Sequence, residues 1–219
     1  MAALRQRTGH RRGHGVLRMS FNHNDFYHPF LLRKVPVGCH RALDVGCGSG
    51  TFARLLARHA AEVHAVDRSA EMIAAARELF ADPPNVSYLE ADIRDLDLGA
   101  ARYDFISCIA AIHHVPFAAT VARLRDALAP RGVLAILGLS RPTLADLLLS
   151  GIAFAPNKAR TAAGRLRGAR PGPHPPIMDP DLSLREIRAL SRGLLPGAEI
   201  RRHLYWRYSL VYRKPVDSA

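Results

Sequence analysis

A chain of 219 residues suits one domain of moderate size and excludes two large ones. Its three cysteines, Cys39, Cys47 and Cys108, form no C-x-x-C spacing, so neither a disulfide framework nor a structural zinc site is indicated and a reducing, cytoplasmic compartment is expected. The formal charge of +12 invites a nucleic-acid partner, yet residues 1–18 carry +5, residues 19–157 carry −1 and residues 158–219 carry +8. The central region is near neutral, and only Lys34, Lys158 and Lys214 of the 31 basic residues are lysine. That skew reads as coding bias rather than selection for phosphate binding, so nucleic acid is not the expected substrate.

Residues 1–18 lack apolar periodicity and are expected to be a disordered basic tail. They contain no continuous apolar run of the kind a secretory signal needs. Residues 21–37 are dense in aromatic and hydrogen-bonding side chains and predict a short N-terminal cap helix. Asn24 or Asp25 would cap it, and Phe30, Leu31 and Leu32 would pack on the body. Phe26 and Phe30 are expected in the core; Tyr27 and His28 are divided between core and a lid over a ligand site.

Residues Arg41 to Ala53 organise the rest. A short apolar run, Ala42, Leu43 and Val45, leads into glycines at alternate positions, Gly46, Gly48 and Gly50, and then into a helical pattern. Glycine reaches positive φ and lets the backbone approach a ligand closely, and the unpaired N–H groups of the following helix point the same way. Nicotinamide and flavin enzymes space these glycines as G-x-G-x-x-G; here Thr51 stands at the third position, with Gly50 one residue earlier. Asp44 precedes the glycines at the strand end, where it would repel a pyrophosphate and attract an ammonium. This stretch resembles the first motif of the class I S-adenosylmethionine-dependent methyltransferases, an acid followed by x-G-x-G-x-G. The resemblance implies that Asp44, Gly46, Cys47, Gly48 and Gly50 surround the cofactor, with Tyr27 or His28 facing its methionine end.

Glu62 to Asp67 reads as the second strand. An acid at its end can accept both ribose hydroxyls in a doubly wound sheet, which is the role expected of Asp67. Ser69 caps the next helix, and the run from Asp67 to Met72 resembles the family's D-x-S-x-x-M pattern. Arg68 and Met72 are thereby counted with the cofactor site, although Met72 equally suits helix core. Val86 to Glu90 is the third strand. The resemblance places Asp92 on the adenine exocyclic amine and the adjacent backbone, at Ile93, on the ring edge.

Tyr103 to Ile109 is the fourth strand, and the following Ile112-His113-His114-Val115 resembles the family's L-H-H-L segment. Backbone carbonyls at the strand end, at Ile109, would meet the cofactor ammonium, and His113 or His114 would take a proton from the acceptor. No Asn/Asp-Pro-Pro-aromatic motif stands here, no Pro-Cys pair occurs, and no carboxylates cluster after the fourth strand. Nucleic-acid amine methylation, cytosine C5 chemistry and a catalytic metal are therefore not expected.

Leu128-Ala-Pro-Arg-Gly132 resembles the family's L-x-P-G-G turn, with Arg131 replacing a glycine, and leads to a fifth strand over Val133 to Leu137. Residues 143–154 are almost wholly apolar but too short to span a membrane, and read as a buried helix, the wall of a hydrophobic substrate pocket or a dimer face. Residues 157–176, rich in Arg, Gly and Pro, predict a mobile loop over the acceptor site. Ser183 and Glu186 form a capping box that opens a helix to about Leu190. Pro196-Gly197 then turns into a hairpin of two strands, Ala198 to Leu204 and Tyr205 to Tyr212, with Arg201, Arg202, Arg207 and Arg213 on solvated faces.

The expected fold is α/β, a doubly wound, seven-stranded and mostly parallel sheet with an antiparallel last strand, in a single domain over residues 19–219. The implied reaction is in-line transfer of the sulfonium methyl of S-adenosyl-L-methionine to an oxygen, nitrogen or carbon nucleophile, leaving S-adenosyl-L-homocysteine. The acceptor expected first is a small molecule, a secondary metabolite or lipid-like acid, and next a peptide carboxylate. A nicotinamide-dependent oxidoreductase and a non-catalytic module binding RNA through its Arg-rich ends are the alternatives from other classes.

Overall fold

The computed structural model describes residues 24–78, 83–142, 179–203 and 206–216. The basic tail over 1–18, the apolar segment 143–154 and the loop 157–176 lie outside the described residues.

Seven strands form one sheet: β1 (Arg41–Val45), β2 (Glu62–Asp67), β3 (Val86–Glu90), β4 (Tyr103–Ile109), β5 (Leu128–Leu139), β6 (Glu199–Arg202) and β7 (Arg207–Arg213). Their spatial order is β3-β2-β1-β4-β5-β7-β6. β1 pairs in parallel with β2 and β4, β2 with β3, and β4 with β5, while β7 runs antiparallel between β5 and β6. The expected doubly wound sheet with its reversed last strand is therefore present.

Side chains alternate across a strand, so a sheet covered on both faces needs two apolar sets. Leu43, Ile106, Leu134 and Ile136 point to one face, where α4 (Phe117–Ala127) brings Val121 and Leu124 and α5 (Leu184–Leu194) brings Ile187. Ala42, Phe105, Val133 and Ala135 point to the other. There they meet Leu31 of α1 (His28–Leu32), Phe52 and Leu56 of α2 (Thr51–Leu56) and Ile73 of α3 (Ala70–Glu78). A five-residue helix such as α1 does not persist alone; the fully buried Leu31 anchors it, contributing about 1.5–3 kcal/mol.

The sequence order reverses at β1, whose next strand in sequence lies on one side and whose other neighbour, β4, lies on the opposite side. The crevice outside the carboxyl ends of β1 and β4 is the ligand position such a sheet creates.

Several local expectations need correction. Asn24 makes no side-chain cap; its Oδ1 instead accepts from Arg207 Nε at 3.0 Å, so Arg207 is tied to the cap rather than lying on a solvated face. Phe26 is exposed, because a single 3₁₀ turn, Asp25–Tyr27, precedes α1 and directs His28, not Phe26, inward. β5 begins at Leu128 rather than Val133: Leu128 pairs with Tyr103, and the register shifts before Val133 pairs with Phe105. The capping box at Ser183 is present, but its helix runs on to Leu194, with Pro196 just beyond the end.

Candidate active site

The glycine loop is tied both to β2 and to itself. The N–H groups of Gly46 and Cys47 donate to Val66 O at 2.8 and 3.0 Å, and Gly50 N–H donates to Cys47 O at 2.9 Å. Gly46, Gly48 and Gly50 all hold positive φ, +68°, +53° and +74°. Two of them also have no room for a side chain. A Cβ on Gly46 would collide with the Ala111 Cβ, and one on Gly50 would lie 2.5 Å from the Tyr88 hydroxyl oxygen. Arg54 holds the loop from behind, donating to Ser49 O at 2.7 Å, Tyr88 Oη at 3.0 Å and Ala76 O at 3.1 Å.

Asp44 ends up buried beside this loop. Its Oδ1 accepts the Ser107 hydroxyl at 2.8 Å, and its Oδ2 is enclosed without a partner. Burial pushes its carboxyl up to about 7, the Ser107 hydrogen bond opposes that shift, and Asp67 adds to it. At the end of β2, Asp67 Oδ2 accepts Gly48 N–H at 2.8 Å and Oδ1 accepts Ser69 N–H at 2.9 Å. Ser69 caps α3 as expected, accepting Met72 N–H at 3.3 Å, and Met72 is buried while Arg68 is exposed. Asp92 faces Arg94, whose guanidinium grips both carboxylate oxygens at 2.7 to 3.0 Å and holds the carboxyl down at about 2. Ile93 is buried.

β4 ends at Ile109, and Ala110 turns the chain at φ +51° into a 3₁₀ turn, Ile112–His114. The rings of His113 and His114 lie with centroids 4.1 Å apart, tilted at 38° to each other, and the Nδ1 of each is enclosed without a partner. Burial, then the neighbouring His114 and Arg207, outweigh Asp181 and bring His113 down to about 4. Burial, then Arg68, likewise lower His114 against the pull of Asp67. Both rings are neutral at pH 7, and they face different ways. His114 feels the end of β2, whereas His113 lines a pocket with Phe117, Leu139, Asp181, Ile187 and Tyr208. At the cap, His28 packs on Phe52 with ring centroids 5.1 Å apart, and the Tyr27 ring stands 5.0 Å from His203, just beyond β6.

A model of the family described as a methyltransferase domain matches residues 42–132. Rv0089 of Mycobacterium tuberculosis, an uncharacterized methyltransferase, is 36% identical over 197 residues, spanning 90% of this chain and 98% of that protein. The chain belongs to the class I S-adenosylmethionine-dependent methyltransferases. A ubiquinone biosynthesis O-methyltransferase of Xylella fastidiosa is 36% identical over 124 residues, 55% of this chain and 50% of that protein. A Listeria monocytogenes protein assigned as an S-adenosylmethionine-dependent methyltransferase, known by its crystal structure, superimposes with a TM-score of 0.62 at 15% identity, covering 87% and 97% of the two chains.

The nicotinamide alternative gives way to this membership, and so does the non-catalytic one. S-adenosylmethionine is the cofactor of this methyltransferase, and one observation tests the fit directly. The enclosed, unpartnered Asp44 Oδ2, beside a loop too tight for side chains, suits an ammonium and would penalise a second anion. Among the described residues, no helix is long and apolar enough to cross a membrane.

Sequence patterns gave no warning of Ser107, Arg94, Asp181 or His203 at this edge. Only Ser107 carried a signal, as the one serine in the strand that follows Asp104, and the fold makes it the register partner of Asp44.

Proposed function

We propose that this methyltransferase moves the sulfonium methyl to a nucleophilic oxygen, nitrogen or carbon of a small, largely apolar molecule held beside His113. The observation that carries this reading is the His113 imidazole, neutral and partly enclosed, in a small cleft whose described lining is mainly hydrocarbon and, among the described residues, includes no lysine or arginine. When bound, the cofactor supplies an electrophilic methyl, so the chain's task is placement, water exclusion and disposal of a proton.

Asp44 and the Ile109 carbonyl hold the ammonium, and the backbone of Gly46, Cys47, Gly48 and Gly50 lies against the methionine portion. Asp67 takes the ribose hydroxyls, Arg68 and Met72 flank the adenine, and Asp92 with Ile93 reads its edge. Tyr27 closes over the methionine end. For a hydroxyl acceptor, His113 Nε2 takes the proton. An imidazole near 4 is a weak base, but an oxygen gaining a methyl becomes strongly acidic, so transfer to it is downhill late in the step. A secondary metabolite or lipid-like acid is the first acceptor class and a peptide carboxylate the second. The free cysteines Cys39, Cys47 and Cys108 accord with work in a reducing, cytoplasmic compartment.

The test is incubation with methyl-labelled cofactor and a cell extract split by ultrafiltration. Label in the low-mass fraction that vanishes for His113→Ala, while S-adenosylhomocysteine binding is kept, supports the reading. Label confined to the protein fraction overturns it.

A further inference from the structure

The turn that follows β3 is held from outside by a side chain on another element. Arg123 of α4 donates from Nη1 to the carbonyls of Ile93 and Arg94 and from Nη2 to the carbonyl of Leu96. Three main-chain acceptors thus converge on one guanidinium, whose planar fork fixes direction as well as distance.

The orientation of Ile93 follows from the two peptide planes that flank it. The Asp92 carbonyl accepts the N–H groups of Asp95 at 3.1 Å and Leu96 at 3.0 Å, so it is turned into the turn. In a trans peptide the N–H points opposite to the C=O. The Ile93 N–H is therefore directed out of the turn, away from those two bonds. The plane on the other side of Ile93 is fixed by Arg123 through the Ile93 carbonyl. The Asp92 carboxylate is anchored as well, by the Arg94 backbone N–H at 2.9 Å and by the Arg94 guanidinium. With Arg123 removed, the half-buried carbonyls of Ile93 and Leu96 and the exposed one of Arg94 lose a charged donor and one of the two planes is released.

We propose that Arg123 is a positioning residue for the cofactor, setting the backbone at Ile93 so that the methyltransferase distinguishes a 6-amino purine from its 6-oxo counterpart. Arg123 is 30 residues from Ile93 in sequence, and it stands on the helix that starts immediately after the His113–His114 turn. The same helix thus borders the acceptor side at its start and braces the purine side at its middle. This inference rests on the placement of the purine at Asp92 and Ile93 given above.

The experiment is isothermal titration of S-adenosylhomocysteine and S-inosylhomocysteine into the full chain, its Arg123→Ala and Arg123→Lys variants, and an Arg58→Ala control on the exposed surface. The wild type and the control should prefer the amino ligand. Arg123→Ala should lose about tenfold in affinity for it and most of the preference, because the inosine ligand has little to lose. Arg123→Lys, keeping the charge without the fork, should recover part of the preference, which a general loss of stability would not produce. A variant that binds both ligands more weakly at an unchanged ratio would show a merely structural arginine and overturn the proposal. Equal binding of the two ligands by the wild type would instead overturn the purine placement, and the inference with it.

Discussion

Asp44 on β1 and Ser107 on β4 are register partners whose side chains meet, Ser107 Oγ donating to Asp44 Oδ1 at 2.8 Å while Asp44 Oδ2 stays enclosed and unpartnered. With burial raising the carboxyl from 3.8 to about 7, the folded protein keeps a proton that the unfolded chain has already released over that interval. Stability from this site is therefore present at low pH and is lost as pH rises toward and through 7. An ammonium beside Oδ2 favours the ionised form, so ligand binding near pH 7 should expel a proton, and affinity should fall as pH drops below 7. Titration of S-adenosylhomocysteine in two buffers of different ionisation enthalpy checks the proton release. Asp44→Asn should raise the apo melting temperature at pH 8 and weaken binding at least about tenfold. Unchanged affinity in that variant would remove Asp44 from the ammonium site.

The two histidines should separate on substitution, because only His113 lines the pocket. His113 drops from 6.5 to about 4 by burial, so the unfolded chain takes up a proton below 6.5 while the folded chain does not until about 4. Stability from this group is complete above 6.5 and is lost as pH falls toward 4, the opposite sense to Asp44. His113→Gln should flatten that loss in melting curves taken between about pH 7 and 5 and lower turnover on the authentic acceptor about a hundredfold, with S-adenosylhomocysteine affinity kept. His114→Gln should affect turnover less. A larger turnover loss in His114→Gln would exchange the roles.

The frame was legible because β2, β3 and β4 are short segments that carry apolar or aromatic residues at buried positions, and their ends fall at the residues the pattern marks: Glu62 and Asp67, Val86 and Glu90, Tyr103 and Ile109. Legibility failed where a distant partner decides. Leu128 to Gly132 looks like a turn from its Pro and Gly, yet Tyr103 recruits Leu128 into the sheet before the register shift. The Asp92 carboxylate reads as a ligand group, and only the fold of its turn shows Arg94 wrapped onto it. Arg123 acts through carbonyl groups of another segment, and main-chain acceptors leave no trace in residue identities. Phe26 is an aromatic side chain left exposed by the phase of one 3₁₀ turn, which composition does not encode.

Gly46 ties the two halves of the site, since a Cβ there meets the Ala111 Cβ in the turn that carries the histidines. Gly46→Ala should therefore both strain the loop at φ +68° and push that turn, costing roughly 2–4 kcal/mol in stability and most of the cofactor affinity. Adding Ala111→Gly removes the collision and leaves the φ penalty of roughly 1–2 kcal/mol. Chemical denaturation of the two single variants and the double variant closes the cycle. Strictly additive losses would mean that the two turns do not press on each other.

Arg131 occupies a glycine position in a turn similar to L-x-P-G-G, and it does so at φ +65° with its side chain exposed. The contacts that fix it are made by its backbone: its N–H donates to Lys214 O at 3.0 Å, and its carbonyl accepts from Arg213 Nη1 at 3.2 Å. A glycine keeps both. Relief of the left-handed conformation is worth roughly 1–2 kcal/mol, offset by roughly 0.5–1 kcal/mol of extra freedom in the unfolded chain. Arg131→Gly should therefore stabilise the fold by about 0.5–1 kcal/mol, raising the melting temperature by about 1–4 °C in a chain of this size. The substitution lies at the opposite end of β5 from the pocket-lining Leu139, so cofactor affinity should stay as it is. A fall in melting temperature would mean that the arginine side chain stabilises this corner by more than its backbone conformation costs.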